Sequence, residues 1–233
     1  MSLEKHINFF ELQKASEKPG CPLCTIIALR AEQYIDNMLF EHVSDRVFRA
    51  KYREAGGFCA FHSRSLESFR DGLAVAILGR DILEERINSS AKSRPWAPKG
   101  RCPVCEEQDR IEEEYLSFLA GSGSGGREED ELKSFISAGD GLCAPHYSGL
   151  LFTPKGKKRK PPVWLREFHE AKFRELRQRV DQFIELSAYG RQEEFSRLPE
   201  KDQLVWKELA RLLRGAPSNR PIAKLFIFCY IFV

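Results

Sequence analysis

The chain has 233 residues, of which 42% are hydrophobic and 30% charged, a composition typical of a soluble protein with a substantial core. Its formal net charge of +3 is close to balance and gives no overall electrostatic case for nucleic-acid binding. The N-terminal segment lacks an apolar signal-peptide core, and the longest apolar run, Leu225–Val233, is too short to span a membrane as a helix. We therefore expect a cytoplasmic protein without a membrane span.

The first part of the chain predicts helices separated by turns. A short helix is expected over residues 3–17. The next helix begins at the CPLC sequence, residues 21–24, and its apolar residues recur at helical spacing. They predict a core-facing stripe of Leu23, Ile27, Ala31, Tyr34 and Met38. Ser44 and Asp45 are helix-capping residue types, so we expect a second helix from there to Gly56.

A break between these two helices is expected near residues 41–44. An unbroken helix from Cys24 to Ala55 would hold Cys59 roughly 45 Å from Cys24. A hairpin in that region would instead return the chain toward Cys24. From Cys59 a long helix is predicted to about Asn88, with its 71–78 segment centrally buried and an apolar stripe of Leu66, Phe69, Leu73, Ile77 and Leu83.

Residues 89–100, rich in Pro, Ser and Lys, form the predicted boundary between two halves, with Trp96 as packing cover. The next helix is acidic, with a core stripe of Ile111, Tyr115 and Leu119. Its carboxylates suggest a solvated face, because the Glu-x-x-His partner of helical di-metal sites is missing. The glycine-rich segment 121–126 is a predicted hairpin tip, and residues 128–137 return the chain.

The last third contains a basic segment and two predicted helices. Residues 154–162 include five basic side chains that could contact phosphate, although an exposed loop is the commoner meaning. One helix is expected to follow Pro161 and Pro162 and to run to Tyr189, with His169 on its surface and an apolar side of Phe173, Leu176, Val180, Phe183 and Ile184. The other spans about 200–213, with Leu204, Leu209 and Leu213 inward. Residues 215–233 are an apolar tail that does not fit the helical plan.

One pair of motifs occurs twice in the chain. CPLC at 21–24 and GGFCAFH at 56–62 recur as CPVC at 102–105 and DGLCAPH at 140–146. Corresponding cysteines lie 81 residues apart in the first half-site and 84 in the second, so one small insertion separates the copies. Six of the seven cysteines and two of the five histidines fall in these frames.

These frames have the ligand types and spacing of zinc sites. Two thiolates separated by two residues can reach one ion from a single turn, and a Cys and a His three residues apart lie on one helix face. Proline after the first cysteine suits the first position of a helix, whose positive end favours thiolates. The predicted metal ligands are Cys21, Cys24, Cys59, His62, Cys102, Cys105, Cys143 and His146.

Two alternatives to metal binding stay open for the cysteines. A disulfide framework would need an oxidising compartment, and a redox dithiol is usually embedded in a βαβ pattern, which neither CPxC shows. The half-sites could also pair in two ways. CPLC could combine with CAFH of its own copy or with CAPH of the other copy. Short local connections favour pairing within a copy.

We therefore predict an all-α protein of duplicated helical-hairpin units with long helices, each unit stapled by a Cys3His metal site, plus C-terminal helices. The expected divisions are 1–92 for the first repeat, 93–160 for the second, 161–214 for C-terminal helices and 215–233 for the tail. The motifs, together with the DGLAVAIL segment, resemble a family of prokaryotic helical proteins known only as a domain of unknown function. The resemblance covers roughly residues 5–214 and implies the same eight ligands, with no activity attached.

Three functions follow from this pattern. The first is a non-catalytic scaffold with two structural zinc ions and a protein partner, since closed four-ligand sites leave no position for a water nucleophile. The second is a redox protein with iron–sulfur clusters or dithiol pairs on the same residues. The third is nucleic-acid binding through the basic segment, which would weaken steeply with salt.

Overall fold

A computed structural model describes residues 7–69, 71–91, 97–123 and 125–215. The prediction of an all-α fold is confirmed, because this part of the chain contains twelve α-helices and no strand. A π-helical turn at Met38–His42 follows α2, and a 3₁₀ turn at Leu66–Ser68 follows α4. In chain order α1 to α12 are Ile7–Ser16, Pro22–Asn37, Arg46–Glu54, Ala60–Ser65, Gly72–Ala91, Pro103–Gly121, Arg127–Ala138, Ala144–Leu151, Val163–Leu186, Gln192–Ser196, Glu200–Gln203 and Val205–Arg214.

The described chain divides into two compact units. The first unit combines residues 7–26 with 112–215, and the second contains 27–111. The repeat boundaries expected from the sequence, 1–92 and 93–160, stay predictions. Each unit contains the Cys-x-x-His motif of one sequence copy together with the CPxC sequence of the other copy.

The first unit is built around α1, α7, α9 and α12. Helices α1 and α7 pack through fully buried side chains, and the Phe9 ring meets the Phe135 ring edge-on at 5.3 Å. Helix α9 contacts α7 and α12, and Arg179 on α9 forms ion pairs with Asp202 at 2.6 Å and Glu208 at 2.8 Å. The core residues of this unit include Leu12, Leu119, Leu132, Ile136, Leu150, Leu165 and Val205.

The second unit places α3 against α5. Asp45 caps α3 by accepting a hydrogen bond from the Val47 amide, as its residue type predicts. Arg49 on α3 donates two hydrogen bonds, of 2.7 and 2.5 Å, to the buried carboxylate of Asp81 on α5. The predicted stripe of α2 is largely confirmed, with its aliphatic members buried and Tyr34 half-buried.

The predicted long helix from Cys59 to Asn88 is wrong. The chain leaves α4 through the 3₁₀ turn, and α5 begins only at Gly72, where the Asp71 carboxylate accepts from the Ala74 amide at 2.9 Å. The break changes the face that α5 buries. Ala74 and Leu78 face the core, whereas Leu73 and Leu83 of the predicted stripe are 74% and 61% exposed.

The C-terminal helices also differ from expectation. Helix α9 ends at Leu186, the predicted 200–213 helix is split into α11 and α12, and α10 has no counterpart among the predicted helices. Val205 is the fully buried residue of the last helices, while Leu204 and Leu213 are exposed because the split at Leu204 rotates the helical face. The predictions for Trp96 and Leu225–Val233 lie outside the described residues. None of the described helices has the length and apolar character required to cross a membrane.

Candidate metal centres

The eight predicted ligands gather into two groups of four. The first group contains Cys21, Cys24, Cys143 and His146, and the second contains Cys59, His62, Cys102 and Cys105. Within each group, one ligand atom from every residue lies within 4.8 Å of the others. Each group therefore could hold a metal ion.

Of the two pairings that the sequence leaves open, the one that short connections favour, within a copy, is wrong, because each group joins a CPxC of one copy to a Cys-x-x-His of the other. Helix lengths explain the exchange. Helix α2 has 16 residues and the π turn that follows it has five, whereas α3 has only nine. These lengths correspond to rises of about 30 Å and about 14 Å, so α3 is too short to retrace the length of α2 and the π turn.

In the first group the Nδ1 atom of His146 lies close to all three thiol sulfurs. His146 Nδ1 is 3.3 Å from Cys21 Sγ, 3.5 Å from Cys24 Sγ and 3.2 Å from Cys143 Sγ. The Cys24 and Cys143 sulfurs are 3.7 Å apart. All four side chains are buried.

The second group repeats this geometry. His62 Nδ1 is 3.3 Å from Cys59 Sγ, 3.4 Å from Cys102 Sγ and 3.5 Å from Cys105 Sγ. The Cys59 and Cys105 sulfurs are 3.8 Å apart. Cys59 is half-buried, and the other three ligands are buried.

These spacings match the edges of a single-ion tetrahedron. With Zn–S near 2.3 Å and Zn–N near 2.0 Å, a tetrahedral site has S···S edges of about 3.8 Å and S···N edges of about 3.5 Å. The separations in both groups, 3.7–3.8 Å and 3.2–3.5 Å, lie close to these values. Both donor sets therefore fit one four-coordinate ion.

Helix N-termini position both half-sites of each group. Helices α2 and α6 begin at Pro22 and Pro103, directly after the first cysteine of each CPxC. Cys59 and Cys143 are the N-cap residues of α4 and α8, with the histidine one turn later. Because the N-terminal end of a helix carries partial positive charge, this arrangement favours thiolates at the centre of each group.

Charge separation is strong in the first group. Burial opposes ionisation of Cys21, but hydrogen bonds with Cys143, Cys24 and His146 outweigh it and lower the Cys21 pKa well below the ordinary value. Burial would lower the pKa of His146, yet hydrogen bonds and the charges of Cys21 and Cys24 raise it to about 10. This group therefore favours a thiolate beside a positive charge, and a bound divalent cation supplies that charge.

In the second group, burial is the main cause of the pKa shifts. Burial raises the pKa of the Cys102 and Cys105 thiols and lowers the pKa of His62 to about 4. His62 is therefore neutral at physiological pH, the form in which imidazole binds a metal. Its thiols need a cation to ionise, because desolvation disfavours their charged form.

The histidines of the two groups differ in the partner of their Nε2 atoms. His146 Nε2 is 3.5 Å from a carboxylate oxygen of Glu112, the arrangement that fixes a ligand histidine in many metal sites. His62 Nε2 is buried, and no described residue forms a hydrogen bond with it. Among the described residues, the first group thus has an outer carboxylate that the second group lacks.

His169 is a supporting residue, although its sequence context predicts a surface position. It is 1% exposed, because it packs between Tyr147, Phe168 and Phe173. The Leu142 amide donates to His169 Nε2 at 2.8 Å, and Nδ1 donates to the Leu165 carbonyl at 2.7 Å. These partners require one neutral tautomer. His169 therefore fixes the backbone immediately before Cys143.

Tyr52 occupies a similar place in the second unit. Its buried ring meets Phe58 edge-on at 5.1 Å and is hydrogen-bonded with the Phe58 backbone, directly before Cys59. Burial is the main reason that its pKa is raised. Neither support could be recognised from spacing, since no motif links Tyr52 or His169 to the half-site that it holds.

We expect His169→Phe to lower the free energy of unfolding by about 1–3 kcal/mol at pH 7.5, because the Leu142 amide loses its acceptor while the ring is retained. Burial lowers the pKa of His169 below 6.5, so the unfolded chain binds the extra proton and wild-type stability falls as pH decreases below 6.5. The variant should lose that part of the pH dependence. Urea unfolding at pH 7.5 and 5.5 measures both effects.

His42→Phe is the matched control, because His42 is an exposed histidine on the π turn. Its urea midpoint should equal that of the wild type. An unchanged midpoint for His169→Phe would contradict the assignment, since it would show that the Leu142 amide does not depend on this imidazole.

Gly215 closes the first group at the end of α12. Its backbone has φ +78° and ψ −179°, which L-residues with a side chain rarely adopt. A Cβ at this position would lie 3.0 Å from Cys24 Sγ and 3.2 Å from Cys143 Sγ. The backbone at the end of the last helix therefore packs directly against the two thiols, where a side chain would not fit. The described fold thus extends one residue into the predicted tail.

We expect Gly215→Ala to cost about 1–3 kcal/mol in backbone strain and also to weaken metal retention in the first group. Gly190→Ala is the control, because Gly190 has φ +88° but a Cβ there would meet no described atom within 4 Å. It should share the strain and keep its metal. Chelator competition with metal analysis measures the difference, and equal retention by both variants would contradict the contact with the thiols.

Comparisons with known proteins give one partial match. An uncharacterized 23.9 kDa protein in the xynA 3′ region of Caldicellulosiruptor sp. (strain Rt8B.4) is 31% identical over 100 residues, 41% of this chain. The chain spans about half the length of that relative, 49%. No family model and no solved structure matches. The similarity is consistent with a prokaryotic family of unknown function and assigns no role to any residue.

Proposed function

We propose that the protein is a zinc-stabilised helical scaffold, with one structural zinc ion in each four-residue group. The observation that carries the proposal is the spacing of the ligand atoms, 3.7–3.8 Å between sulfurs and 3.2–3.5 Å between sulfur and nitrogen. Soft thiolate ligands with one imidazole in a tetrahedron favour zinc. When bound, zinc crosslinks the helix N-termini and neutralises the thiolates.

Iron–sulfur clusters fit this spacing less well. The ligands of a [2Fe–2S] or [4Fe–4S] cluster are shared among several irons and must be spread around inorganic sulfide. Four ligand atoms within 4.8 Å of one another suit a single ion instead. The redox alternative is therefore the second choice for these residues.

A structural role is supported by the closed ligand sets. Each group offers four protein ligands to an ion that takes four, which leaves no coordination position for a substrate or a water nucleophile. We infer that the scaffold serves interaction or regulation with a protein partner. The cytoplasm suits it, because six free thiols at these positions must stay reduced to bind metal.

The deciding experiment is elemental analysis of anaerobically purified protein, with a visible spectrum of the same sample. We expect about two zinc ions per chain and no colour. Iron and sulfide with visible absorption would replace the zinc proposal by the cluster alternative. Protein free of metal that retains its helical circular dichroism would overturn both.

A further inference from the structure

The basic segment at residues 154–162 lines a cleft in the first unit. The cleft lies between the end of α8 and the start of α9 and has a volume of about 510 Å³. Leu151, Phe152, Pro161 and Val163 provide its apolar surface. The rest of its lining is cationic, namely Lys158, Arg159, Lys160 and Arg166. We call this feature the basic cleft.

Arg159 holds the basic segment in a defined conformation. Its guanidinium donates to both Glu113 oxygens at 2.7 and 2.6 Å, and to the Gly149 carbonyl and Ser117 hydroxyl at 3.0 Å each. Its amide donates to the Leu151 carbonyl at 2.8 Å. This arginine is therefore a structural anchor, and the neighbouring cations are presented on a fixed backbone.

The turn between the two sides of the cleft is also ordered by hydrogen bonds. The Thr153 amide donates to the Lys157 carbonyl at 2.8 Å, and the Lys157 amide donates to the Thr153 hydroxyl at 3.1 Å. An isolated antiparallel bridge pairs Phe152 with Lys158. The segment therefore keeps an aromatic side chain and a lysine side by side.

The remaining cations of the cleft carry charge that no described acidic side chain neutralises. Within the described ranges, Lys158, Lys160 and Arg166 form no salt bridge, whereas the nearby Arg174 pairs with Glu170 at 3.0 Å. An unneutralised group of cations attracts a polyanion. Phe152 is 43% exposed and Val163 57% exposed in the same cleft, so the occupant also has an apolar or aromatic part.

We propose that the basic cleft binds single-stranded nucleic acid. A base stacks on Phe152, and adjacent phosphates contact Lys158, Lys160 and Arg166, the combination of aromatic platform and cationic groove that single-stranded binders use. A volume of about 510 Å³ suits one or two nucleotides. Duplex DNA would need a longer surface, and an acidic peptide has no flat base to use the exposed ring. This activity is independent of the identity of the metal.

The test measures fluorescence anisotropy of a labelled, mixed-sequence single-stranded oligonucleotide of about 12 nucleotides, with the metal-replete full chain. With three phosphate contacts, affinity should fall about 20-fold between 50 and 200 mM salt. Lys158→Gln should reduce the salt slope by about 0.7, and Phe152→Ala should weaken binding about ten-fold.

Two exposed residues outside the cleft give matched controls. Phe40 is 83% exposed on the π turn, and Lys133 is exposed on α7. Phe40→Ala and Lys133→Gln should bind like the wild type. Circular dichroism of all four variants should be unchanged, because each replaces a side chain that is exposed or partly exposed.

Competitors identify the class of polyanion. The proposal predicts that unlabelled oligonucleotide displaces the probe, whereas polyglutamate and phosphatidylserine vesicles do not. Equal displacement by polyglutamate with no effect of Phe152→Ala would replace the proposal by an acidic protein partner. Binding to vesicles alone would identify a membrane surface. No salt-sensitive binding to the oligonucleotide would overturn the proposal outright.

Discussion

Cys21→Ser/Cys143→Ser is expected to keep about one zinc ion per chain, whereas Cys21→Ser/Cys59→Ser should keep none. The first double variant removes two ligands from one group and leaves the other intact. The second removes one ligand from each group and so damages both. Pairing within a sequence copy would give the opposite result for the two variants. Metal analysis after gel filtration distinguishes them.

Cys229→Ser is the control, because Cys229 is the cysteine outside both sequence frames. It should retain the wild-type metal content. If the loss of one ion unfolds the chain, both double variants would release both ions and could not be distinguished. A second measurement therefore uses the protein with all its cysteines. In cadmium-113-substituted protein, each cadmium resonance should couple to cysteines of both sequence copies. Coupling confined to one copy would contradict the arrangement.

The sequence predicts which eight side chains come together more successfully than it predicts which half-sites pair. The duplicated frames point to eight residues, and the structure brings these same eight together. The predicted pairing is wrong because it assumes that short connections dominate. Helix length dominates instead. Helix α6 has 19 residues and α7 only 12, so the second copy repeats the imbalance between α2 and α3.

The break before α3 is predicted correctly but for an incorrect reason. The chain does turn near Asp45, and this residue caps α3 as expected. A return of Cys59 to Cys24 is the expected consequence of that turn, yet Cys59 lies with Cys105 at 3.8 Å. Capping chemistry is local and can be recognised in a sequence. The distance that the chain returns depends on the lengths of the following helices.

The missed break before α5 has a recognisable signal. Asp71 followed by Gly72 is a typical helix start, and the Asp71 side chain does cap the Ala74 amide. The continuous apolar run that follows obscures this signal, because a helix that starts at Cys59 and a helix that starts at Gly72 both give an acceptable apolar stripe. By contrast, the burial of His169 depends on a hydrogen bond to Leu142, 27 residues away. No periodicity reports such a contact.

Chelation is expected to remove zinc in two steps, with the second group emptied first. Cys59 is half-buried, and no described residue hydrogen-bonds to the outer nitrogen of His62. The first group is wholly buried, and Glu112 lies behind His146. Because outer partners change metal affinity by about 10–100-fold, we expect the two release midpoints to differ by a similar factor. A chromophoric chelator that reports free zinc measures the steps.

Glu112→Gln tests the cause of this order. The variant keeps a side chain of similar size but removes the charge facing His146, so the release midpoint of the first group should approach that of the second. If the two release midpoints of the variant differ by the same factor as those of the wild type, burial alone sets the order of release. Glu167→Gln, an exposed glutamate on helix α9, is the control and should leave both midpoints unchanged.

Helical circular dichroism should disappear when both ions are gone. A structural zinc site contributes about 10–16 kcal/mol to folding, which equals or exceeds the roughly 5–15 kcal/mol by which native proteins are usually stable. Without the ions, each group would leave three thiols and an imidazole mostly buried at helix N-termini, with no divalent cation to neutralise three thiolates. Added zinc should restore the signal. A fully helical apo-protein would show that packing of the two cores suffices and that zinc is not the scaffold's main support.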